Sequence, residues 1–247
     1  MNYDFPIIKH ISQIIKEVKS DQYSIVNEDQ FSVVYSNSIS TPLLREVRGL
    51  IFDVSGNLIA RPYHHAFHIN QSPETDLQTL RRSKFKDLHV ILEKLDGTTI
   101  YPAPTQYGYR LTTKQGITEA SLNAEVYIAD KPEYNDFINI CLNKKFTPIF
   151  EWCSPKNKII LDYNTDNLIL TGLRNVKTGV YCKYNYLRKL STNFKLPCVE
   201  KKNIKISYFE EFIEEVENYT DREGLVIRFD NGHMIYFKSK DYLQKKI

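Results

Sequence analysis

The 247-residue sequence is poor in the residue types that mark several large classes of protein. Its four cysteines stand at positions 141, 153, 182 and 198, too far apart for the paired spacing of a zinc-binding motif. With 9 glycines and 10 prolines, the chain lacks the composition of collagen or of disordered proteins. No apolar run approaches the roughly 20 residues of a membrane-spanning helix. We therefore expect an ordinary globular protein with free thiols, in a reducing compartment and away from the membrane.

Charge and targeting signals are equally sparse. There are 33 Lys and Arg against 30 Asp and Glu, and a net charge of +3 is too small to indicate a nucleic-acid partner by itself. The first residues lack the basic start and apolar core of a signal peptide, which predicts a cytoplasmic protein, or one of the host cytoplasm if the source is viral. The 17 tyrosines and 13 phenylalanines fit a β-rich core and surface, although tyrosine also stacks on bases.

Hydrophobic periodicity predicts a mixture of helices and short strands. An apolar pattern predicts a first helix over residues 5–19, with Asp4 as its N-cap. Ser72-Pro73-Glu74 is expected to open a short helix, and longer helices are predicted at 118–130, 133–143, 184–191 and 207–218. Strands are predicted at 23–26, 31–35, 49–54, 58–61, 90–92, 98–101, 109–113, 148–152, 158–163, 168–173, 180–182, 224–229 and 234–238. Their hairpin-like succession favours an α+β fold with antiparallel sheets.

A lysine at the end of an apolar strand is the first sign of chemistry. Lys94 stands in the string Glu93-Lys94-Leu95-Asp96-Gly97, directly after the strand predicted at 90–92. A free lysine has a pKa near 10.4, so a nucleophilic lysine needs neighbouring cations or desolvation. Taken alone, a Lys-x-Asp-Gly string is more often a structural turn.

Charged residues at later strand ends supply the companions that such a lysine needs. Lys238 and Lys240 end the last predicted strand, and strand alternation predicts that both project from one side. Glu223 precedes the strand before it, and Glu151 lies in Phe150-Glu151-Trp152. Each of these residues alone is usually a solvated surface charge. Their order along the chain, together with Lys94, indicates a site.

These strings, taken in order, resemble the motifs of the covalent nucleotidyltransferase superfamily, which comprises ATP-dependent DNA ligases, RNA ligases and mRNA capping enzymes. Within it, the sequence is similar to the bacteriophage tRNA-repair type of RNA ligase. The strings that carry this closer resemblance are Arg45–Phe52, Phe150–Ile160 and Leu173–Gly179. The resemblance covers roughly residues 45–240 and implies a nucleotidyltransferase domain. We expect one domain over 1–247, with an N-terminal helix and strands in 1–44.

The resemblance implies ATP-dependent sealing of RNA, as in RNA repair. Lys94 would take AMP from ATP, and the AMP would pass to an RNA 5′-phosphate that is then joined to a 3′-hydroxyl. Lys238 and Lys240 would hold the phosphates and disfavour the charged form of Lys94, and Glu223 would hold Mg²⁺ or Mn²⁺. The other positions implied to contact the nucleotide are Arg48 at phosphate or ribose, Lys114 at phosphate and adenine, Glu151 at the ribose, and Glu93 and Leu95 beside adenine. Asp96 is expected to fix the turn.

The sequence departs from the family pattern at one basic position. Where the family carries a lysine after its Arg-Gly strand, this chain has His65, and a neutral histidine would contact pyrophosphate more weakly. His64, His65 and His68 could instead suggest a metal site, but their spacing does not place all three on one face of a strand. We therefore expect them to lie near the nucleotide or on the surface.

The C-terminal part and one basic run bear on the substrate. Seven residues follow Lys240, which leaves no room for the OB domain of DNA ligases and capping enzymes. We therefore expect the catalytic domain alone: a minimal ligase, an excised part of a longer ligase, or a ligase that a protein partner completes. The run Arg81-Arg82-Ser83-Lys84-Phe85-Lys86 is a candidate RNA-phosphate surface, although a solvated loop is as common an explanation. The remaining alternatives are a GTP-dependent capping guanylyltransferase, a DNA ligase domain and a non-catalytic RNA-binding module of the same fold.

Overall fold

The described part of the protein is built on three four-stranded sheets. This computed structural model describes residues 5–83, 89–204, 206 and 209–245. The strands are β1 (Tyr23–Asn27), β2 (Phe31–Ser36), β3 (Arg48–Asp53), β4 (Leu58–Ala60), β5 (Phe67–His68), β6 (His89–Lys94), β7 (Thr98–Thr105), β8 (Gly108–Thr112), β9 (Phe146–Cys153), β10 (Asn167–Asn175), β11 (Gly224–Phe229) and β12 (Met234–Lys238). The sheet orders are β1-β2-β3-β4, β10-β9-β7-β8 and β5-β12-β11-β6. The predicted antiparallel α+β class is confirmed, with β5 and β12 as a parallel pair.

Helices pack against these sheets. They are α1 (Ile11–Glu17), α2 (Pro42–Glu46), α3 (Leu77–Ser83), α4 (Glu119–Ile128), α5 (Pro132–Asn143), α6 (Tyr184–Asn193), α7 (Phe209–Glu217) and α8 (Lys240–Lys245). Short 3₁₀ turns lie at Ser20–Gln22, Pro73–Thr75 and Pro155–Asn157. None of the helices within the described ranges has the length and hydropathy that a bilayer crossing would require.

The hydrophobic cores join the three sheets into one body around a short connection. The second sheet packs with α4, α5 and α6 in the largest core, and the third sheet packs with α3 and α7. The first sheet shares a core with β7 through residues such as Val33, Ile51 and Tyr101. The chain crosses from the third sheet to the second between β6 and β7, at the string that contains Lys94 and Gly97. This turn therefore lies where the two sheets face each other.

The predicted N-terminal helix over 5–19 is wrong in its first half. The helix begins at Ile11, because His10 and Gln13 form a capping box in which the Ser12 amide donates to Nδ1 of His10. Residues before it are extended and pair with the turn between β3 and β4, where the Leu58 amide donates to the Lys9 carbonyl oxygen at 2.9 Å. Tertiary hydrogen bonds thus override the apolar periodicity. The predicted N-cap, Asp4, lies outside the described residues.

Two predicted strands are also wrong. Residues 158–163 form an irregular loop, because the amides of Ile160 and Leu161 donate to the carboxylate of Asp96 rather than to a neighbouring strand. The strand predicted at 180–182 is reduced to a single bridge between Tyr181 and Arg174. Conversely, α2 is a helix that the apolar pattern did not predict. The side chain of Thr41 caps it by accepting from the Leu44 amide at 3.2 Å.

A buried ion-pair triad ties the first sheet to the second. Glu46, at the end of α2, lies within 2.7 Å of Arg61 and of Arg174, and all three side chains are at most 1% exposed. Burial alone would raise the pKa of Glu46, but the attraction of Arg174 and Arg61 outweighs it and holds that pKa below its ordinary value. Arg174 also donates to the carbonyl oxygen of Pro62. The triad therefore holds together segments that are more than 100 residues apart.

We expect Glu46→Ala to destabilise the fold by about 3–5 kcal/mol, because it leaves two guanidinium groups buried without a carboxylate. Urea unfolding at pH 7 measures the change. Asp162→Ala provides the matched control, because it removes an exposed ion pair with Lys158 and should cost at most about 0.5 kcal/mol. Equal effects of the two substitutions would contradict the importance given to the triad.

Candidate active site

A cleft with a volume of about 560 Å³ lies between the second and third sheets. That size is within the range of small-molecule sites. Its walls come from β6, β7, β9, β10, β11 and β12, and one end is closed by Arg48 of β3 and by the turn that precedes α4. Of the predicted site residues, those that line the cleft are Arg48, Glu93, Lys94, Leu95, Lys114 and Glu151.

Strand register brings Lys94, Glu223 and Lys238 together. Gly224 pairs with Lys94 on one side and with Lys238 on the other, so Glu223 stands between the two lysines. Its Oε1 atom lies 2.7 Å from Nζ of Lys94 and 3.1 Å from Nζ of Lys238. A Cβ atom at Gly224 would collide with the carbonyl of Phe237, which explains the glycine beside this cluster. Among these residues, Glu223 is nearly buried at 4% exposure, whereas Lys94 is 20% exposed.

The turn after Lys94 is held rigidly by Asp96, as the sequence predicts. One carboxylate oxygen of Asp96 accepts from the amides of Ile160 and Leu161, and the other accepts from the hydroxyl of Tyr242 at 2.7 Å. Gly97 follows because a Cβ atom there would strike the carbonyl oxygen of Trp152. These hydrogen bonds therefore hold the turn that follows Lys94, the candidate nucleophile.

Glu151 lies across the cleft from Lys94. Its Oε2 accepts from the hydroxyl of Thr99 at 3.1 Å. Burial raises the pKa of Glu151 to about 7, with Glu223 adding to the rise and Lys94 and Thr99 opposing it. Near neutral pH the carboxyl group can therefore donate or accept a hydrogen bond.

Arg48 and Lys114 form a pair of cations at one end of the cleft. Arg48 donates to the carbonyl oxygen of His64 at 3.4 Å. Burial and the nearby Arg48 lower the pKa of Lys114. Burial together with Arg48, Arg45 and Lys114 lowers the pKa of His65 to about 4, so His65 is neutral at pH 7. Two groups at this end carry positive charge where the family pattern expects three.

The three histidines do not form a metal centre. His64 is buried against Tyr181, with its Nδ1 atom 2.9 Å from the tyrosine hydroxyl, whereas His68 packs its ring on Tyr236. In the part of the chain that the structure describes, no group of three or more His, Cys, Asp or Glu side chains is arranged to hold a metal ion. A divalent cation here would depend on a carboxylate such as Glu223 together with substrate phosphates, which is the coordination that Mg²⁺ accepts.

The predicted shared strand face of Lys238 and Lys240 is wrong. The strand ends at Lys238, and Ser239 caps α8 by accepting from the Tyr242 amide. Lys240 is the first helical residue, is 63% exposed and pairs with Glu217 at 2.8 Å. Of the basic run, Lys84 and Lys86 lie outside the described residues, and only the backbone of Arg81 and Arg82 is described, as part of α3.

Sequence reasoning missed several cleft residues, notably Tyr63, Tyr236 and Arg228. Arg228 is only 5% exposed, donates to the carbonyl oxygen of Thr171 and leaves its Nη2 atom without a hydrogen-bond partner. A charged residue inside the apolar strand Gly224–Phe229 was the available signal, because a buried arginine requires a partner. Tyr236 carried no such signal, since aromatic residues are common in strands.

The fold is shared with solved ligases of low sequence identity. An archaeal ATP-dependent RNA ligase superimposes with a TM-score of 0.67 at 14% identity, over 94% of this chain and 61% of that chain. A structure provisionally named an ATP-dependent DNA ligase, from Aquifex aeolicus, gives 0.63 at 16% identity, over 94% and 62%. A Naegleria gruberi RNA ligase with AMP and Mn gives 0.60 at 14%, over 74% and 57%. These similarities show the nucleotidyltransferase fold of ligases and do not separate RNA from DNA substrates.

Sequence comparison identifies the family. A protein of Thermovibrio ammonificans, provisionally named an RNA ligase, is 31% identical over 232 residues, which are 90% of this chain and 59% of that protein. The chain thus spans about three fifths of the length of the Thermovibrio ammonificans protein, of the archaeal RNA ligase and of the Aquifex aeolicus protein. The RNA ligase family model matches residues 46–243, which include every cleft residue named above. The chain therefore belongs to the RNA ligase family.

Proposed function

We propose that this chain carries the ATP-dependent nucleotidyl-transfer site of an RNA ligase. The observation that carries the proposal is the cluster of Lys94, Glu223 and Lys238 at a ligand-sized cleft, in a chain of the RNA ligase family. The cleft also offers Glu151 and Arg228 as polar groups that a nucleotide could satisfy.

The proposed reaction has three steps. Nζ of Lys94 attacks the α-phosphorus of ATP, so that a P–N bond forms, the bond to pyrophosphate breaks and the amine loses a proton. An oxygen of an RNA 5′-phosphate then attacks the same phosphorus and displaces Lys94. Finally, an RNA 3′-hydroxyl attacks the activated 5′-phosphate, loses its proton and releases AMP. Nζ must leave Glu223 and give up one proton to solvent before the first step, because the ammonium group of the ion pair has no lone pair with which to attack.

The other residues are proposed to bind rather than to react. Arg48 and Lys114 would hold the phosphates that leave as pyrophosphate, and Glu151 would bind the ribose. Glu223 would share a divalent cation with the phosphates, which lowers the repulsion between two anionic substrates. Lys238 would balance charge beside the α-phosphate, and Lys240 would reach phosphate only after leaving Glu217.

We expect Lys94→Arg to abolish covalent AMP attachment, because a guanidinium group in a protein cannot be deprotonated to attack phosphorus. Intact-mass spectrometry after incubation with ATP and Mg²⁺ detects the adduct on the unsubstituted protein and its absence in the variant. Arginine can keep an ion pair with Glu223, so the fold should survive. Lys177→Arg, at an exposed lysine, is the matched control and should form the adduct normally. An AMP adduct on Lys94→Arg would refute the assignment.

We expect Glu151→Gln to make stability less sensitive to pH. A folded-state pKa near 7, above the ordinary 4.5, means that the stability contributed by the protonated carboxyl group is complete below pH 4.5 and is lost as pH rises through 7. The amide does not titrate, so the variant should gain about 2 kcal/mol relative to the unsubstituted protein between pH 5 and pH 8. Urea unfolding at both pH values measures this gain. Glu214→Gln, at an exposed glutamate, should show none.

We expect the protein to join RNA 5′-phosphate and 3′-hydroxyl ends better than nicked duplex DNA, since the 2′-hydroxyl distinguishes RNA. End-labelled substrates of both kinds, with ATP and Mg²⁺, provide the test, and sealing should weaken as salt rises. Joining of nicked DNA without joining of RNA would favour the DNA ligase alternative. An AMP adduct without joining of either substrate would favour a protein partner, and an adduct from GTP alone would favour a capping enzyme.

A further inference from the structure

A four-residue turn presents Lys114 to the cleft. We call residues 113–116 the Lys114 turn. The Thr113 amide donates to the Gly116 carbonyl oxygen at 2.9 Å, and the Gly116 amide donates to the Thr113 carbonyl oxygen at 3.1 Å. Gly116 has a φ of 88°, a conformation that glycine adopts without strain. Both Lys114 and Gln115 at the tip of the turn line the cleft.

The inner side of the Lys114 turn lies against β3. A Cβ atom at Gly49 would come within 2.8 Å of Cα of Lys114, so the glycine allows the turn to lie directly beside Arg48. The hydroxyl of Tyr101 donates to the Gly49 carbonyl oxygen at 2.9 Å and fixes that side. The contact between the Lys114 turn and β3 therefore determines how far Lys114 lies from Arg48.

The outer side of the turn rests on Glu28, which lies in the hairpin between β1 and β2. Its Oε1 accepts from the Ile117 amide at 2.8 Å, and a Cβ atom at Gly116 would lie 2.6 Å from the same oxygen. The carboxylate thus both bonds the residue after the turn and limits outward movement of Gly116. A carboxylate that accepts from an amide makes a stronger hydrogen bond than a neutral acceptor does.

We propose that Glu28 is a positioning residue, which holds the Lys114 turn so that Lys114 and Arg48 together engage the outer phosphates of a nucleoside triphosphate. This inference rests on the proposed function and adds to it a residue of the N-terminal hairpin, outside the strings that resemble the family motifs. Glu28 itself does not line the cleft. Its effect should therefore depend on the presence of Lys114.

The test compares nucleotide affinity across matched variants by isothermal titration calorimetry with ATP and with AMP. Glu28→Ala should weaken ATP binding by about tenfold, equivalent to about 1.4 kcal/mol, and should change AMP binding little because AMP lacks the outer phosphates. Glu28→Gln keeps an acceptor oxygen and should bind ATP nearly as well as the unsubstituted protein. In a Lys114→Ala background, Glu28→Ala should have no further effect, since residues that act through one contact are not additive.

A control and a second measurement keep the outcomes distinct. Gln30 lies in the same hairpin and accepts from the Gln106 amide at 2.9 Å, so Gln30→Ala loosens the hairpin elsewhere and should leave ATP affinity unchanged. Amide hydrogen exchange at Ile117 should quicken in Glu28→Ala and remain slow in Gln30→Ala.

Unchanged exchange at Ile117, equal losses of ATP and AMP affinity, or additivity with Lys114→Ala would each overturn the role of Glu28. If the unsubstituted protein binds neither nucleotide, the proposed function fails and the phosphate-directed role of Glu28 fails with it. Hydrogen exchange would still show, in that case, whether Glu28 holds the turn.

Discussion

The carboxylate of Glu46 is the contact on which the geometry of the cleft depends. It neutralises Arg61 and Arg174, which otherwise would be two cations without solvent in the space between the first and second sheets. Desolvation of the three charges offsets much of their attraction, so the complete triad adds little net stability. Removing Glu46 alone is costly because it leaves two buried guanidinium groups without a carboxylate. Arg48, which lines the cleft, follows Glu46 by two residues.

A second constraint is the register of β11 against both of its neighbours. Because Gly224 faces Lys94 and Lys238 at once, Glu223 shares a single oxygen between two ammonium groups. Glu223 can bind a cation with this oxygen only by giving up at least one lysine contact. Under the proposed function, a cation bound at this oxygen would favour release of Lys94 for attack.

Local signals made parts of this structure predictable from sequence. The hairpin of β11 and β12 has its predicted bounds, because the turn Asp230-Asn231-Gly232 and two apolar runs agree. Among the residues that the resemblance implies, Lys94 and Glu223 lie 2.7 Å apart and Glu151 lines the same cleft as Lys94, whereas their roles remain predictions. Lys240 was misplaced because alternation was extended past Ser239, whose hydroxyl caps a helix instead.

Long-range contacts were the part that sequence could not supply. The strings that contain Glu46 and Arg174 were both noticed, yet nothing in either indicates that their side chains meet at 2.7 Å. The apolar pattern at 158–163 predicted a strand. Nothing in that segment indicates that its amides bond to Asp96, which is more than 60 residues away. Similarly, the orphaned Nη2 atom of Arg228 has meaning only once the cleft beside it is known.

The cleft is assembled from all three sheets, although the strings that resemble the family motifs begin at residue 45. Arg48 and Gly49 belong to β3, which lies between β2 and β4, and the Lys114 turn rests on the hairpin that joins β1 to β2. A chain beginning at residue 45 would keep each of those strings but would lose the pairing of β3 with β2 and the support of Glu28. Under the proposed function, the N-terminal strands therefore support the end of the cleft that would bind phosphate, through backbone pairing and one carboxylate.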